Sequence, residues 1–344
     1  MFFKCREIVS LMNRAGRKRV PFLFGVDFEM EDGFFIENPM FQSEIFFEIN
    51  GIGNNSQIFT NESVDCKSID SFLNIEPDFK YNNNNYQFDI FPEEYSKYKK
   101  RFDIVMKGLM KGDSYLANLT VRTPISTTLT LKDIFLKSSS PYKLYIPEKF
   151  VCFSPECFVK ISDGKISTYP MKGTIDADKK DAEQKILNDD KEKAEHNTIV
   201  DLLRNDISRV AENVSVSRFR YIDKIKSNRG SLLQVSSMIE GLLNDTYLEE
   251  LGSIIFKLLP AGSVSGAPKK ATLDIICNAE QQARSYYTGV SGYFDGKSLN
   301  SFVLIRYIEQ ENSKLYFRSG GGITAKSKAE KEYREVIQKI YLPF

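Results

Sequence analysis

The chain has 344 residues, of which 42% are hydrophobic, so it is long enough to bury a large core. Its 47 basic and 46 acidic residues give a net charge of +1, which argues against a basic face for nucleic acid. Apolar runs fall short of the roughly 20 residues that span a bilayer, and basic residues interrupt the N-terminus before a signal-peptide core could form. We therefore expect a cytoplasmic protein whose partners include neither nucleic acid nor a membrane.

Cysteine and histidine usage limits the chemistry further. The five cysteines are odd in number and lack paired CxxC spacing with companion histidines, so neither a disulfide framework nor a zinc site is predicted. The single histidine, His196, leaves one imidazole for any Cys-His or Ser-His nucleophile pair.

The first 85 residues contain few motifs. Segments 21–29 and 34–36 are predicted strands around Asp32-Gly33, which favours a hairpin. The polar tract YNNNNY at 81–86 cannot pack a core and is typical of a loop. We place a boundary there, between a short N-terminal subdomain (1–85) and a larger domain (86–344).

A long helix is predicted next, over residues 91–111. Pro92 suits its first turn, aromatic and aliphatic residues recur at helical spacing, and Gly112 suits its C-terminal cap. A strand containing Leu116 should follow this helix.

Residues 154–174 hold an acid, an amine and a glycine turn close together in sequence. Two alternating segments flank Asp163-Gly164, so we predict a hairpin. Its antiparallel return would bring Glu156, at the start of the first strand, near Lys172, just past the end of the second. Gly173 would let the backbone approach a ligand beside that lysine. The alternative is a surface hairpin with an exposed lysine and a solvated glutamate.

Segment 181–210 is a predicted amphipathic helix or helix pair. Asp189, followed three residues later by Glu192, is a capping signature, and its predicted buried stripe includes Ala194 and Ile199. Glu195 lies at the edge of that stripe, where a solvated residue is the ordinary interpretation.

Downstream, the glycine-rich segment 260–269 lacks the Gly-Lys-Ser/Thr order of a phosphate loop, so a tight loop before a helix is expected.

The C-terminal part supplies further charged and glycine-rich features. Arg306, at a predicted strand end, is either a surface charge or an anion site, since guanidinium binds carboxylate through two hydrogen bonds. The glycines at 320–322 can form an anion-binding concavity. Glu332 and Glu335 share one helix face, and two close carboxylates suggest a site for a hard metal ion.

Several of these segments resemble the chorismate-utilising enzymes. The similarity covers roughly residues 90–344 and includes SPE at 154–156, PMKGT at 170–174, AEH at 194–196, PAGSVSGAPK at 260–269 and SGGG at 319–322. Lys172 before Gly-Thr resembles the aminodeoxychorismate synthase component I branch, because the anthranilate synthase branch usually has alanine there. Leu116 stands where isochorismate synthases have a water-activating lysine, and leucine cannot act as a general base.

The resemblance assigns roles to particular residues. It implies Lys172 as nucleophile and Glu156 as general acid, and an Mg²⁺ ion held by Glu195 and Glu335 with Glu332 adjacent. It also implies contacts to chorismate from Gly173, Thr174, Tyr287, Arg306, Gly320, Gly321 and Gly322.

The expected reaction converts chorismate and ammonia to 4-amino-4-deoxychorismate for folate synthesis. Because the one histidine belongs to the predicted helix, a separate glutamine amidotransferase subunit should supply the ammonia. Anthranilate synthase component I, isochorismate synthase and a non-enzymatic paralogue remain alternatives. Hairpins alternating with isolated helices favour an α+β fold, which in this family has two packed, largely antiparallel sheets surrounded by helices.

Overall fold

The computed structural model describes residues 1–58, 86–227 and 230–344. The predicted loop at 81–85 lies outside these residues, so the division of the chain at residue 85 stays a prediction. Within the described ranges, no helix has both the length and the apolar character that a membrane crossing requires.

Strands make up most of the regular structure. In chain order, those of the described residues are β1 (Phe2–Lys4), β2 (Phe22–Val26), β3 (Asp32–Glu37), β4 (Phe46–Ile49), β5 (Ile52–Gly53), β6 (Phe88–Ile90), β7 (Leu116–Thr127), β8 (Tyr142–Ile146), β9 (Phe150–Ser154), β10 (Cys157–Ser162), β11 (Lys165–Thr168), β12 (Met171–Asp176), β13 (Glu212–Ser227), β14 (Gly230–Leu242), β15 (Gly266–Ala267), β16 (Val290–Phe294), β17 (Leu299–Val303), β18 (Tyr307–Glu311) and β19 (Lys314–Ile323).

These strands form two antiparallel sheets. The first has the order β1-β3-β2-β16-β17-β10-β11-β14-β12, with β13 also paired to β14. The second has the order β15-β7-β19-β18-β9-β8-β4-β5, with β6 also paired to β7. Strands that precede residue 58 therefore contribute to both sheets, and β2 pairs directly with β16 near the other end of the chain.

Helices surround the sheets. Those of the described residues are α1 (Cys5–Arg17), α2 (Tyr95–Lys111), α3 (Leu131–Lys137), α4 (Ala182–Asn188), α5 (Asp190–Ile207), α6 (Leu251–Leu258), α7 (Gly262–Ser265), α8 (Lys269–Glu280) and α9 (Ala329–Gln338).

An aromatic layer joins the two sheets face to face. Phe302 of the first sheet stacks on Tyr142 of the second at 5.2 Å between ring centroids, and Phe47 lies 5.3 Å from Tyr293. On the outer faces, α1, α5 and α6 pack against the first sheet, while α2, α8 and α9 pack against the second. Because each sheet buries one face against the other and covers the second with helices, the predicted α+β architecture is confirmed.

Most local predictions agree with these elements. The hairpin at 154–169 is present as β10 and β11. The helix predicted over 91–111 begins later, at Tyr95, but ends at Lys111 as expected, with Gly112 as its C-terminal cap at φ of 84°. The segment 181–210 is a helix pair, and Asp189 caps the second helix by accepting a hydrogen bond from the Glu192 amide. Ala194 is exposed, contrary to prediction, and His196 is buried instead.

Candidate functional site

Glu156 lies in the short connection between β9 and β10, where the chain passes from the second sheet to the first. Its amide donates to the Ser154 hydroxyl at 3.1 Å, and its carbonyl accepts from the Val303 amide at 3.1 Å. Ser263, in α7, donates to Glu156 Oε1 at 2.6 Å. The backbone of Glu156 is therefore fixed within its own connection and by β17, while Ser263 contacts the carboxylate from a distant part of the sequence.

Lys172 faces the same cavity as Glu156. It lies in β12 rather than in a turn, and the ladder between β12 and β14 shifts register just after it. Gly173 occupies this bulge with φ of 77°, a conformation that glycine adopts without strain. The cavity that contains Glu156 and Lys172 is also lined by Ser263, Ile199 and Leu203, so an acid and an amine share one partly apolar space.

Burial and charge act in opposite directions on Glu156. Burial raises the pKa of its carboxyl, while the Ser263 hydrogen bond and the positive charges of Lys172, Arg306 and Lys339 lower that pKa. A carboxyl with a raised pKa keeps its proton more readily at neutral pH, as a general acid requires.

Tyr287 and Arg306 lie on the segments that flank β16 and β17. Tyr287 is buried with its ring 5.8 Å from that of Tyr307, and burial raises the pKa of its hydroxyl, so this group remains a hydrogen-bond donor. Arg306 follows β17 by three residues, at φ of 54°, and donates to the Tyr341 hydroxyl at 3.3 Å. The positive charge of Arg306 lowers the pKa of both Glu156 and Tyr287, against the larger effect of burial on each.

The three glycines lie in the last part of a strand, as predicted. Gly320, Gly321 and Gly322 belong to β19 and pair with residues 118–120 of β7, and their role in binding an anion stays a prediction. The strand β18, on the other side of β19, pairs only with residues 314–318. Beyond that point the glycine segment has one edge that is not paired with β18.

Glu332 and Glu335 converge on Gly321. A Cβ placed on Gly321 would lie 3.8 Å from an oxygen of each carboxylate and 3.8 Å from Lys339 Nζ. Among the residues described, no three His, Cys, Asp or Glu side chains form a cluster that could hold a metal ion, so Glu195 does not complete a three-carboxylate site. Two converging carboxylates nevertheless match the oxygen donors that Mg²⁺ prefers, since this ion commonly uses one or two protein carboxylates together with substrate and water.

Lys339 is a candidate site residue that the sequence argument missed. Its ammonium donates to the Gly320 carbonyl at 2.8 Å and pairs with Glu335 at 2.8 Å. The four-residue spacing between Glu335 and Lys339 on a helix end could have identified this pair. Lys339 therefore links the acid pair to the glycine segment.

A buried ion pair holds together the segments around the cavity. Arg284 is 1% exposed and donates twice to the Glu280 carboxylate, at 2.7 and 2.9 Å. It also donates to the carbonyls of Val264, next to Ser263, and Asn118, opposite Gly322. No local sequence signal marks this pair, which joins β7, α7 and the segment before Tyr287.

Comparison with known proteins identifies the family. A family model described as chorismate binding enzyme matches residues 50–343. The chain belongs to this family of chorismate-binding enzymes.

Relatives of this chorismate-binding enzyme include proteins of similar length. An uncharacterized PabA-like protein from Haemophilus influenzae is 47% identical over 340 residues, covering 98% of this chain and 97% of the relative. The aminodeoxychorismate synthase component 1 of Bacillus subtilis is 31% identical over 251 residues, covering 68% of this chain and 52% of that protein. This chain thus matches about half the length of that second relative.

Solved structures support the fold. Anthranilate synthase component I from Streptococcus pneumoniae superposes with a TM-score of 0.63 at 24% identity, covering 83% of this chain and 63% of its own. A putative 2,3-dihydroxybenzoate-specific isochorismate synthase from Bacillus anthracis superposes with a TM-score of 0.69 at 16% identity, covering 99% and 88%. At these identities the likeness establishes the shared architecture alone.

Proposed function

We propose that this chorismate-binding enzyme is the synthase component that forms 4-amino-4-deoxychorismate from chorismate and ammonia for folate synthesis. The observation that carries the proposal is that Lys172 and Glu156 line the same cavity. An amine nucleophile and a shielded acid, facing one another, suit the replacement of a ring hydroxyl by an amino group.

In the first step, Lys172 gives its proton to the Glu156 carboxylate, and the resulting neutral amine forms a bond to C2 of chorismate. The ring double bonds shift, the bond from C4 to its hydroxyl breaks, and Glu156 donates the proton with which that hydroxyl leaves as water. The raised pKa of Glu156 supports this role, because the acid must carry a proton when the bond breaks.

In the second step, ammonia forms a bond to C4. The double bonds return to their original places, the bond between C2 and Lys172 breaks, and the proton released by the ammonia nitrogen returns to the Glu156 carboxylate. The enolpyruvyl group is retained throughout, so the product is 4-amino-4-deoxychorismate and no pyruvate is released.

The remaining predicted site residues bind and orient the substrate. Arg306 and the Tyr287 hydroxyl offer donors to carboxylate oxygens, and the glycines at 320–322 together with the Gly173 and Thr174 backbone position the ring. Glu332 and Glu335 would hold an Mg²⁺ ion together with substrate and water oxygens. When bound, this ion supplies positive charge for the substrate carboxylates.

A glutamine amidotransferase subunit is the proposed source of ammonia. His196 is buried and its Nε2 lies 2.7 Å from the Ser237 hydroxyl, so the one imidazole of the chain is already engaged.

Purified protein incubated with chorismate, Mg²⁺ and ammonium tests the proposal. We expect 4-amino-4-deoxychorismate by chromatography and mass spectrometry, and we expect the Lys172→Ala variant to form none. Lys165→Ala is the matched control, because Lys165 lies in the same hairpin but is exposed. Undiminished turnover by Lys172→Ala would refute the covalent role.

Two measurements separate the alternatives. Release of pyruvate would identify an anthranilate synthase, which alone among these reactions eliminates the enolpyruvyl group. Product formation without ammonium or glutamine would identify an isochorismate synthase, which is disfavoured by the buried Leu116 beside Gly322. With ammonium omitted, an intact-mass adduct of chorismate less one water on the wild type, absent from Lys172→Ala, would support the covalent intermediate.

A further inference from the structure

Tyr98 of α2 has a hydroxyl group that nothing in the described structure satisfies. The side chain is 0% exposed, and its hydroxyl has no hydrogen-bond partner among the described residues. A buried hydroxyl without a hydrogen-bond partner destabilises the folded state. Such groups are therefore normally hydrogen-bonded to a water molecule or to another polar group. The hydroxyl of Tyr98 therefore calls for a functional explanation.

The position of Tyr98 points to the acid pair of α9. Its ring lies 5.3 Å from that of Tyr333, the residue that follows Glu332 in the chain. Glu332 is itself only 4% exposed, and its carboxylate reaches the same point above Gly321 as that of Glu335. Both carboxylates raise the pKa of the Tyr98 hydroxyl, in addition to the larger effect of burial, so both lie within electrostatic reach of it.

We infer that Tyr98 is a positioning residue for the acid pair, whose hydroxyl donates through a bridging water to Glu332 and Glu335 when they hold a hard divalent cation. This inference rests on the proposed function, since it assumes that the acid pair binds such a cation. Carboxylates that bind metal ions are commonly held by hydrogen-bond donors behind them, and removing such a donor weakens metal affinity by about 10- to 100-fold.

The test measures Mn²⁺ binding, as a substitute for Mg²⁺, by calorimetry and by electron paramagnetic resonance in the absence of substrate. Tyr98→Phe removes one oxygen and keeps the ring that packs on Tyr333. We expect its Mn²⁺ affinity to fall by about 10- to 100-fold. Its thermal midpoint without metal should be equal to or above that of the wild type, because the unpaired buried hydroxyl is gone.

Tyr95→Phe is the matched control. Tyr95 lies one turn earlier in the same helix, with its ring 5.5 Å from that of Tyr333, but it is only partly buried. We expect this variant to bind Mn²⁺ as the wild type does. Equal losses of affinity in the two variants would overturn the specific role of Tyr98.

The outcomes also separate the inference from the proposed function. A wild type that binds Mn²⁺, together with a Tyr98→Phe variant of the same affinity, overturns the role of Tyr98 and leaves the metal site standing. A wild type that takes up no Mn²⁺ overturns the role of Tyr98 together with the substrate-free metal site, whereas the proposed reaction is tested separately by product formation from chorismate and ammonium. A wild type whose binding is lost in Glu335→Gln and weakened in Tyr98→Phe supports both.

Discussion

The Ser263 hydroxyl donates a 2.6 Å hydrogen bond to Glu156, and this contact joins two segments that are 107 residues apart in the chain. The bond stabilises the charged form of a carboxylate whose pKa burial raises. Ser263 thereby limits how far the pKa of the proposed general acid rises.

Removing that hydroxyl should change the pH dependence of the reaction. In Ser263→Ala, the pKa of Glu156 should rise, so the high-pH limb of the kcat profile should move to higher pH. The higher pKa keeps more of the acid protonated at neutral pH, but kcat should still fall by about 10-fold, because the carboxyl is no longer oriented by this hydrogen bond. Ser263→Thr, which keeps the hydroxyl, is the control. An unchanged profile in Ser263→Ala would contradict the assignment of Glu156 as the acid.

The stability of the protein should also report the environment of Glu156. Burial raises the pKa of the Glu156 carboxyl in the folded state above its ordinary value of 4.5, so the charged carboxylate destabilises the fold at neutral pH. As the pH falls through the folded-state pKa, protonation of the carboxylate removes this destabilisation. Glu156→Gln should therefore have a higher thermal midpoint than the wild type at pH 7.5. The advantage should shrink as the pH approaches 4.5, whereas the exposed Glu44→Gln should show none. A Glu156→Gln variant that is less stable at every pH would show that burial does not penalise the charge.

His196 offers a direct measure of the charge on Lys172. Burial, then the positive charges of Arg220 and Lys172, lower the pKa of His196 to about 4. As the only histidine in the chain, it gives an unambiguous NMR signal, and we expect no titration between pH 8 and about 5. Lys172→Ala should raise this pKa measurably, while Lys165→Ala should not. Identical titration curves for the two variants would show that Lys172 lies too far from His196 to change its pKa.

The same depressed pKa makes a stability prediction with a definite sign. The unfolded chain protonates His196 near its ordinary pKa of 6.5, while the folded state does not until about 4. The stability that the fold gains from keeping His196 neutral is therefore complete above pH 6.5. It is lost as the pH falls from 6.5 to about 4. Chemical denaturation of the wild type and of His196→Gln across pH 7.5 to 4 measures it, and parallel curves for the two proteins would contradict it.

The buried ion pair of Arg284 and Glu280 should contribute strongly to the free energy of unfolding, because it links β7, α7 and the segment before Tyr287. Arg284→Met should cost about 3–5 kcal/mol in urea unfolding, because it leaves the Glu280 carboxylate buried without its partner. Replacing both residues with methionine should recover part of that loss. Arg334→Met is the control, since the pair of Arg334 and Glu330 is exposed and such pairs contribute about 0–1 kcal/mol. Equal losses for the two single variants would mean that burial does not set the strength of the inner pair.

Local sequence signals predicted much of the secondary structure. Asp163-Gly164 marked the turn of the hairpin, Gly112 ended α2, and Asp189 capped α5, because each feature depends on the backbone preferences of a few neighbouring residues. The family followed from short motifs, which the family match over residues 50–343 confirms. Burial on a helix was predicted less well, since the chain buries His196 and exposes Ala194 according to what α5 meets in space.

The sequence by itself determined the elements, the α+β class and the family, because these depend on local periodicity and on residues close together in the chain. Only the tertiary structure decided that Ser263 restrains Glu156, that Lys339 pairs with Glu335 beside the glycines, and that Arg284 ties three walls together. It also decided that the glycines pair with β7, since the partner of a strand depends on the topology of the whole sheet. Contacts between distant residues depend on how two sheets and their helices pack, and no short-range pattern encodes that packing.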